Sequence, residues 1–218
     1  MRIRFIGKGT PLSFSATEGE EKNADVTLFG FYDEEVSYER ELKGETRFFE
    51  SVARLSKTQQ SVVACGCITD TKGLKRKSVA VAENGRLIGV SDMLNAVDGA
   101  YASGAALRVY ETGVGRMGVV VSDDLRFPEV IKSLAVCGSD FIVCPFGRMD
   151  GIQSVLLRAH AYCYGVPIYF CADGYCMIAD VSGEIVFASP QSPVTAEYLP
   201  RKEYHLVETR RRGFYKAR

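Results

Sequence analysis

The sequence predicts a mixed α/β fold. Three observations carry that reading. Short apolar runs of strand length alternate with a few segments whose apolar residues recur every three or four positions. Asn-Gly, Ser-Gly and Gly-X-Gly connections join neighbouring strand-like runs. The composition, 46% hydrophobic and 25% charged over 218 residues, is enough to bury one substantial core without disulfides, so residues 1–218 read as a single domain.

The elements follow in order. Arg2 to Ile6, Val26 to Phe31 and Ser61 to Ile68 read as strands, and the nearly continuous apolar run of the last suits a strand covered on both faces. Glu45 to Ser56 reads as a helix, because Phe48, Phe49, Val52 and Leu55 recur at spacings of three and four and share one face. Three hairpins are expected. Val79 to Ala82 and Leu87 to Val90 flank Asn84-Gly85, Leu107 to Tyr110 and Met117 to Val121 flank Gly113-Val114-Gly115, and Met177 to Asp180 and Ile185 to Ala188 flank Ser182-Gly183. Between the second and third lie two helix–strand units. Helix Pro128 to Cys137, with proline in its first turn, precedes strand Phe141 to Cys144; helix Gly151 to Tyr164 precedes strand Ile168 to Cys171. The polar segment Lys8 to Asn23 reads as a loop.

Several function classes are argued against. Lys plus Arg and Asp plus Glu both number 27, so no excess of positive charge is available for neutralising a phosphate backbone, and no nucleic-acid partner is expected. No stretch approaches the roughly 18 to 20 apolar residues of a membrane span, so no membrane partner is expected and a cytoplasmic location is. Seven cysteines without a CxxC pair suggest reduced thiols rather than a disulfide framework or a metal site, and no cofactor is implied.

Some motifs are decoys. Gly113-Val114-Gly115-Arg116-Met117-Gly118 matches GxGxxG, but its third glycine opens a strand where a dinucleotide site needs a helix N-terminus. Gly7-Lys8-Gly9-Thr10 lacks the leading glycine of a phosphate loop. His160 and His205 read as packed or surface residues, and Cys65 and Cys67 as small hydrophobes on one face of a strand. The Arg210-Arg211-Arg212 run reads as a solvated or dimer-edge feature.

Gly118-Val119-Val120-Val121-Ser122-Asp123-Asp124-Leu125-Arg126-Phe127-Pro128-Glu129 resembles the nucleophile strand and elbow of the carbon–nitrogen hydrolase (nitrilase) superfamily. Ala24 to Phe29 is similar to the strand that leads to that family's glutamate, and Asn84 to Gly89 to the hairpin that leads to its lysine. Gly138 to Pro145, Leu156 to Ala159, Gly165 to Tyr169 and Met177 to Glu184 resemble its later units in order and spacing. The resemblance implies a shortened four-layer α-β-β-α sandwich. It also implies a homodimer or larger assembly packed through the helices around Val130 and Leu156, with pairing to an intact family hydrolase as a further possibility.

Family enzymes hydrolyse amides and nitriles with cysteine as nucleophile, glutamate as proton shuttle and lysine as oxyanion stabiliser. By register with the motifs, the resemblance places Ser122 at the cysteine position, Met93 at the lysine position and Phe31 at the glutamate position. A slip of register at Phe31 would bring in Glu34 or Glu35. No residue is therefore assigned a catalytic role, and the expected protein is a scaffold without turnover, with a structural, regulatory or ligand-binding role. The alternative is a hydrolase with a rebuilt site, drawing on Ser122, Asp123, Cys144 and Cys171, with Ser122 or a relocated thiol as nucleophile and Asp123 or Asp124 as base. Asp124, Arg126, Pro128 and Glu129 read as the structural elbow. Asp124 is expected to bond backbone amides, Arg126 to pair with Glu129, and Pro128 to start the helix.

Overall fold

The computed structural model describes residues 1–7, 24–97, 99–201, 204–207 and 210–213, with the backbone alone for 32–34, 204–207 and 210–213. The elements are β1 (Arg2–Ile6), β2 (Val26–Ser37), α1 (Tyr38–Leu42), α2 (Phe48–Gln59), β3 (Val62–Thr71), β4 (Leu74–Glu83), β5 (Arg86–Asp92), β6 (Val109–Thr112) and β7 (Gly115–Val119). A 3-10 turn (Ser122–Arg126) then leads to α3 (Pro128–Val136), β8 (Phe141–Arg148), α4 (Ile152–Tyr164), β9 (Ile168–Asp173), β10 (Tyr175–Ala179), β11 (Ile185–Ser189) and β12 (Val194–Glu197). Beyond them β13 (Tyr204–Val207) pairs with β14 (Arg210–Gly213), where the triple-arginine run lies.

Two six-stranded sheets form, one in the order β12-β1-β2-β3-β4-β5 and the other β11-β10-β9-β8-β7-β6. Strands β1, β2 and β3 run parallel, as do β7, β8 and β9; antiparallel hairpins complete the second sheet and one side of the first, whose other edge is β12 antiparallel to β1. Side-chain alternation builds three apolar layers. Ile3, Phe5, Leu28, Ala64, Val79 and Val81 from the first sheet meet Met117, Val119, Val143, Tyr169 and Ile178 from the second. The intervening residues face outward: Val63, Cys65 and Cys67 lie against Val52 and Leu55 of α2, and Ile142, Cys144 and Phe170 against Leu134 and Leu157 of α3 and α4. The result is the expected helix–sheet–sheet–helix layering, and it explains why β3 reads as a continuous apolar run.

Local chemistry sets the ends of elements. Helix α2 starts three residues later than expected because the Glu41 carboxylate of α1 accepts from the amides of Phe48 and Phe49 at 2.9 and 3.1 Å. Asn84 and Gly85, at φ 51° and 80°, make the tight turn between β4 and β5. The GxGxxG string is confirmed as a hairpin, since Gly115 and Gly118 both lie in β7. Two connections of the second sheet are short: residues 149–151 alone link β8 to α4, and β9 turns into β10 at Asp173-Gly174.

The apolar face of α3 around Val130 is spent on the chain's own core, whereas α4 exposes Ile152, Val155 and Tyr162. Among the described residues, no helix is long and apolar enough to cross a membrane. Among the described residues, no group of three or more His, Cys, Asp or Glu stands where it could hold a metal. The predicted loop from Lys8 to Asn23, including the end of the Gly7–Thr10 string, lies outside the described residues, as do the side chains of His205 and Arg210 to Arg212.

Candidate functional site

Beyond β7, Val120 and Val121 lead into the 3-10 turn that carries Ser122. Ser122 has φ +50°, a left-handed conformation that costs a non-glycine residue roughly 1–3 kcal/mol and persists only where its surroundings enforce it. Three contacts enforce it. The Asp124 amide donates to the Val121 carbonyl at 3.1 Å, and the Phe127 amide donates to the Asp124 carbonyl at 3.1 Å, closing the turn. His160 on α4, 5% exposed, donates from Nε2 to the Leu125 carbonyl at 3.0 Å. Burial holds His160 below the usual imidazole range, so the neutral donor form is favoured.

The Asp124 carboxylate ties this elbow to the first sheet. It accepts from the Leu94 amide at 2.8 Å and from both the amide and the side chain of Asn95 at 2.9 Å. Asp124 therefore bonds backbone amides as expected, but those that follow Met93 rather than those of its own turn. Burial raises its carboxyl above the ordinary value, against the lowering effect of these bonds.

Asp123 and Arg126 form an ionic chain at the rim. Lys77 Nζ lies 3.2 Å from Asp123 Oδ2, Arg126 Nε lies 3.3 Å from Asp123 Oδ1, and Arg126 Nη2 lies 3.4 Å from Asp150. The Lys77 ammonium also sits over the Tyr101 ring, 5.3 Å from its centre. The expected partnership of Arg126 with Glu129 is thus corrected: Arg126 pairs with Asp123 and Asp150, while Glu129 is exposed in the first turn of α3 and Pro128 starts that helix. The Ser122 hydroxyl, 3% exposed, reaches Asp123 Oδ2 at 3.5 Å, the oxygen that Lys77 also holds.

The other two positions are apolar and buried. Phe31 is 9% and Met93 1% exposed, and both belong to the core between the sheets. The Phe31 ring lies against Gly66, where an added Cβ would stand 2.7 Å from Phe31 Cδ2. Glu35 is half-exposed and paired with Lys75 at 2.7 Å; the side chain of Glu34 lies outside the described residues.

The two candidate thiols occupy different environments. Cys144 faces the helices and Cys171 faces the other sheet, so they project from opposite faces of the second sheet. Burial pushes both thiols well above their ordinary value. Each is therefore held in the protonated form, which is the poor nucleophile.

The sequence reading missed Lys77. The Met93 amide donates to the Lys77 carbonyl at 2.8 Å, so an ammonium stands on the strand beside the position that the resemblance gives to the lysine. Its side chain shares the inter-sheet face with Val79 and Val81, two and four residues on. As arranged, this lysine balances Asp123 and closes the rim. The site thus holds a strained serine, an aspartate shared between two cations and an apolar floor.

Known proteins match this architecture. The carbon–nitrogen hydrolase family matches residues 25–197. The human deaminated glutathione amidase is 31% identical over 116 residues, covering 44% of this chain and 36% of the relative, so the match spans about a third of that protein's length. Among solved structures, Saccharomyces cerevisiae Nit3, a member of branch 10 of the nitrilase superfamily, superposes with a TM-score of 0.72 at 14% identity over 89% of this chain and 88% of that one. An amidase from Nesterenkonia sp. AN1, captured after Michael addition of acrylamide at its active-site cysteine, gives 0.72 at 15% identity over 89% and 91%. At such identities the structures establish the shared fold, and the family match over most of the chain establishes more: this chain belongs to the carbon–nitrogen hydrolase family.

Proposed function

We propose that this chain is a carbon–nitrogen hydrolase scaffold without hydrolytic turnover, serving a structural, regulatory or ligand-binding role. The observation that carries the reading is the chemistry at three positions. Phe31 and Met93 are apolar and buried, and Ser122 shares its one aspartate contact with a lysine. Neither Phe31 nor Met93 can take a proton or stabilise an oxyanion. Loss of a catalytic group that works as part of a unit commonly costs on the order of a million-fold in turnover. The protein acts as one domain in the cytoplasm, alone or paired with an intact family hydrolase. Self-association uses the exposed apolar residues of α4, Ile152, Val155 and Tyr162.

A second reading has one observation in its favour. Ser122 keeps the strained φ of an elbow, and Asp123 and Lys77 stand beside it, as a rebuilt amide or nitrile hydrolase would require. Covalent trapping separates the two. Peptide mapping after incubation with a short haloacetamide, which also alkylates the exposed Cys137 and Cys163, should show no adduct on Ser122; an adduct mapped to Ser122 and lost in Ser122→Ala would favour the rebuilt hydrolase.

A further inference from the structure

We propose that Cys171 and Cys176 are a modification site: a cross-strand thiol pair that a low-molecular-weight disulfide converts to an intrachain disulfide. The two residues stand directly opposite each other on β9 and β10. The connection between these strands is the two-residue Asp173-Gly174 turn, with Gly174 at φ +74°, and Ala172 and Tyr175 form the pair that closes it. In such a hairpin the closing pair is hydrogen-bonded, so the next pair, Cys171 with Cys176, is not. Residues at non-hydrogen-bonded pairs have Cα atoms about 4.5 Å apart and side chains at their closest, within the range a disulfide spans. Both side chains lie in the core between the sheets, so both project from the same face.

Geometry also indicates what must move. Cys176 Sγ now lies 3.5 Å from the Ser189 carbonyl on the far side of β10, so closing the bond takes a rotation about χ1 rather than a shift of backbone. The hairpin has little freedom to shift, because the Ala172 carbonyl is packed on Gly7 so closely that a Cβ there would stand 2.5 Å from its oxygen. Gly30, next to Phe31, also faces Ala172. The crosslink would therefore stiffen the strand end beneath the candidate site.

The step is a thiol–disulfide exchange. Cys176 is 2% exposed and Cys171 fully buried, so Cys176 reacts first. Its thiolate attacks one sulfur of the small disulfide, forming a mixed disulfide and releasing one small thiolate. The Cys171 thiolate then attacks Cys176 Sγ in that mixed disulfide and displaces the second. The protein loses two electrons and two thiol protons, and the small disulfide gains both pairs as two free thiols. Burial holds both cysteines above their ordinary value, Cys176 at about 11, so the exchange is slow at neutral pH.

The test uses the folded protein and 2-hydroxyethyl disulfide, a small neutral reagent, at about pH 8.5 for several hours, followed by alkylation and chymotryptic mapping. The fragments that contain Cys171 and Cys176 should elute as one linked species until reduced. The exposed Cys137 and Cys163 should carry the small-thiol adduct, which shows that the reagent is active. In Cys176→Ser, no crosslink to Cys171 should form. Recovery of both cysteines as alkylated free thiols while Cys137 and Cys163 are modified would overturn the proposal, as would linkage of Cys171 to any other cysteine.

Discussion

Replacing Asp124 tests whether the elbow is held by the first sheet. Its carboxylate accepts three hydrogen bonds, two from the amides of Leu94 and Asn95 and one from the Asn95 side chain, and the residue is 1% exposed. Asp124→Ala leaves two amides without their acceptor at roughly 1–3 kcal/mol each, less the relief of no longer burying a carboxylate, for a net loss of about 3 kcal/mol. Asp124→Asn keeps an oxygen for Asn95 but turns an NH2 toward the Leu94 amide, so it should cost one bond, about 1–2 kcal/mol. For a domain of this size these losses correspond to about 6–12 °C and 2–8 °C in Tm, read with urea midpoints at unchanged slope.

The pH dependence adds a second check. The folded carboxyl is raised above its ordinary 3.8, so the folded state binds the proton more readily than the unfolded chain does. That contribution is fully present below 3.8 and is lost as pH rises through the folded value. The asparagine variant has no such proton, so its penalty should be largest in acid and shrink toward neutrality. An Asp124→Ala protein within about 1 kcal/mol of wild type, or an asparagine variant less stable than the alanine one, would refute the reasoning.

Other predictions follow from the same contacts. His160 is held below the imidazole range, so its contribution is present above the ordinary 6.5 and is lost as pH falls through the folded value; the Tm of His160→Gln should fall less than that of wild type over that interval. A double-mutant cycle of Lys77→Met with Asp123→Asn should give a coupling of about 0.5–1.5 kcal/mol that weakens with added salt, and a salt-independent value would contradict the ion pair. Gly66→Ala should destabilise by about 1–3 kcal/mol in urea titrations, because its Cβ would stand 2.7 Å from the Phe31 ring and 2.8 Å from its Cα. An unchanged midpoint would mean that Phe31 does not lie where the structure puts it.

Most of the scaffold was legible in the sequence, because its signals are local. Asn84-Gly85 and the spacing of Phe48, Val52 and Leu55 each depend on a few neighbouring residues. The turns Lys72-Gly73 and Asp173-Gly174 are as local but went unread, since each joins strands whose apolar runs stop short of it. Strand β2 outruns its apolar part for a different reason: register shifts on either side of Phe31 carry it on to Ser37 beside β3.

The site was less legible because it depends on register. Counted back from the Asn84-Gly85 turn, Lys77 would stand opposite Asp92 and Arg76 opposite Met93. A shift of one residue between Val81 and Ala82 moves Ser78 opposite Asp92 and so brings Lys77 beside Met93. Because paired residues share a face, that single extra residue on β5 determines that Met93 stands beside Lys77, between the sheets, rather than beside Arg76 on the opposite face. The partners of Asp124, and Asp150 as the second partner of Arg126, likewise stand 24 to 30 positions away, where no local pattern reveals them.

The account's central claim is the absence of turnover, and ammonia release measures it most directly. Wild type and Ser122→Ala, at high protein concentration and with a panel of short amides and nitriles, should both match the protein-free rate. Ammonia release by wild type that Ser122→Ala abolishes would contradict the claim and make the strained serine a nucleophile.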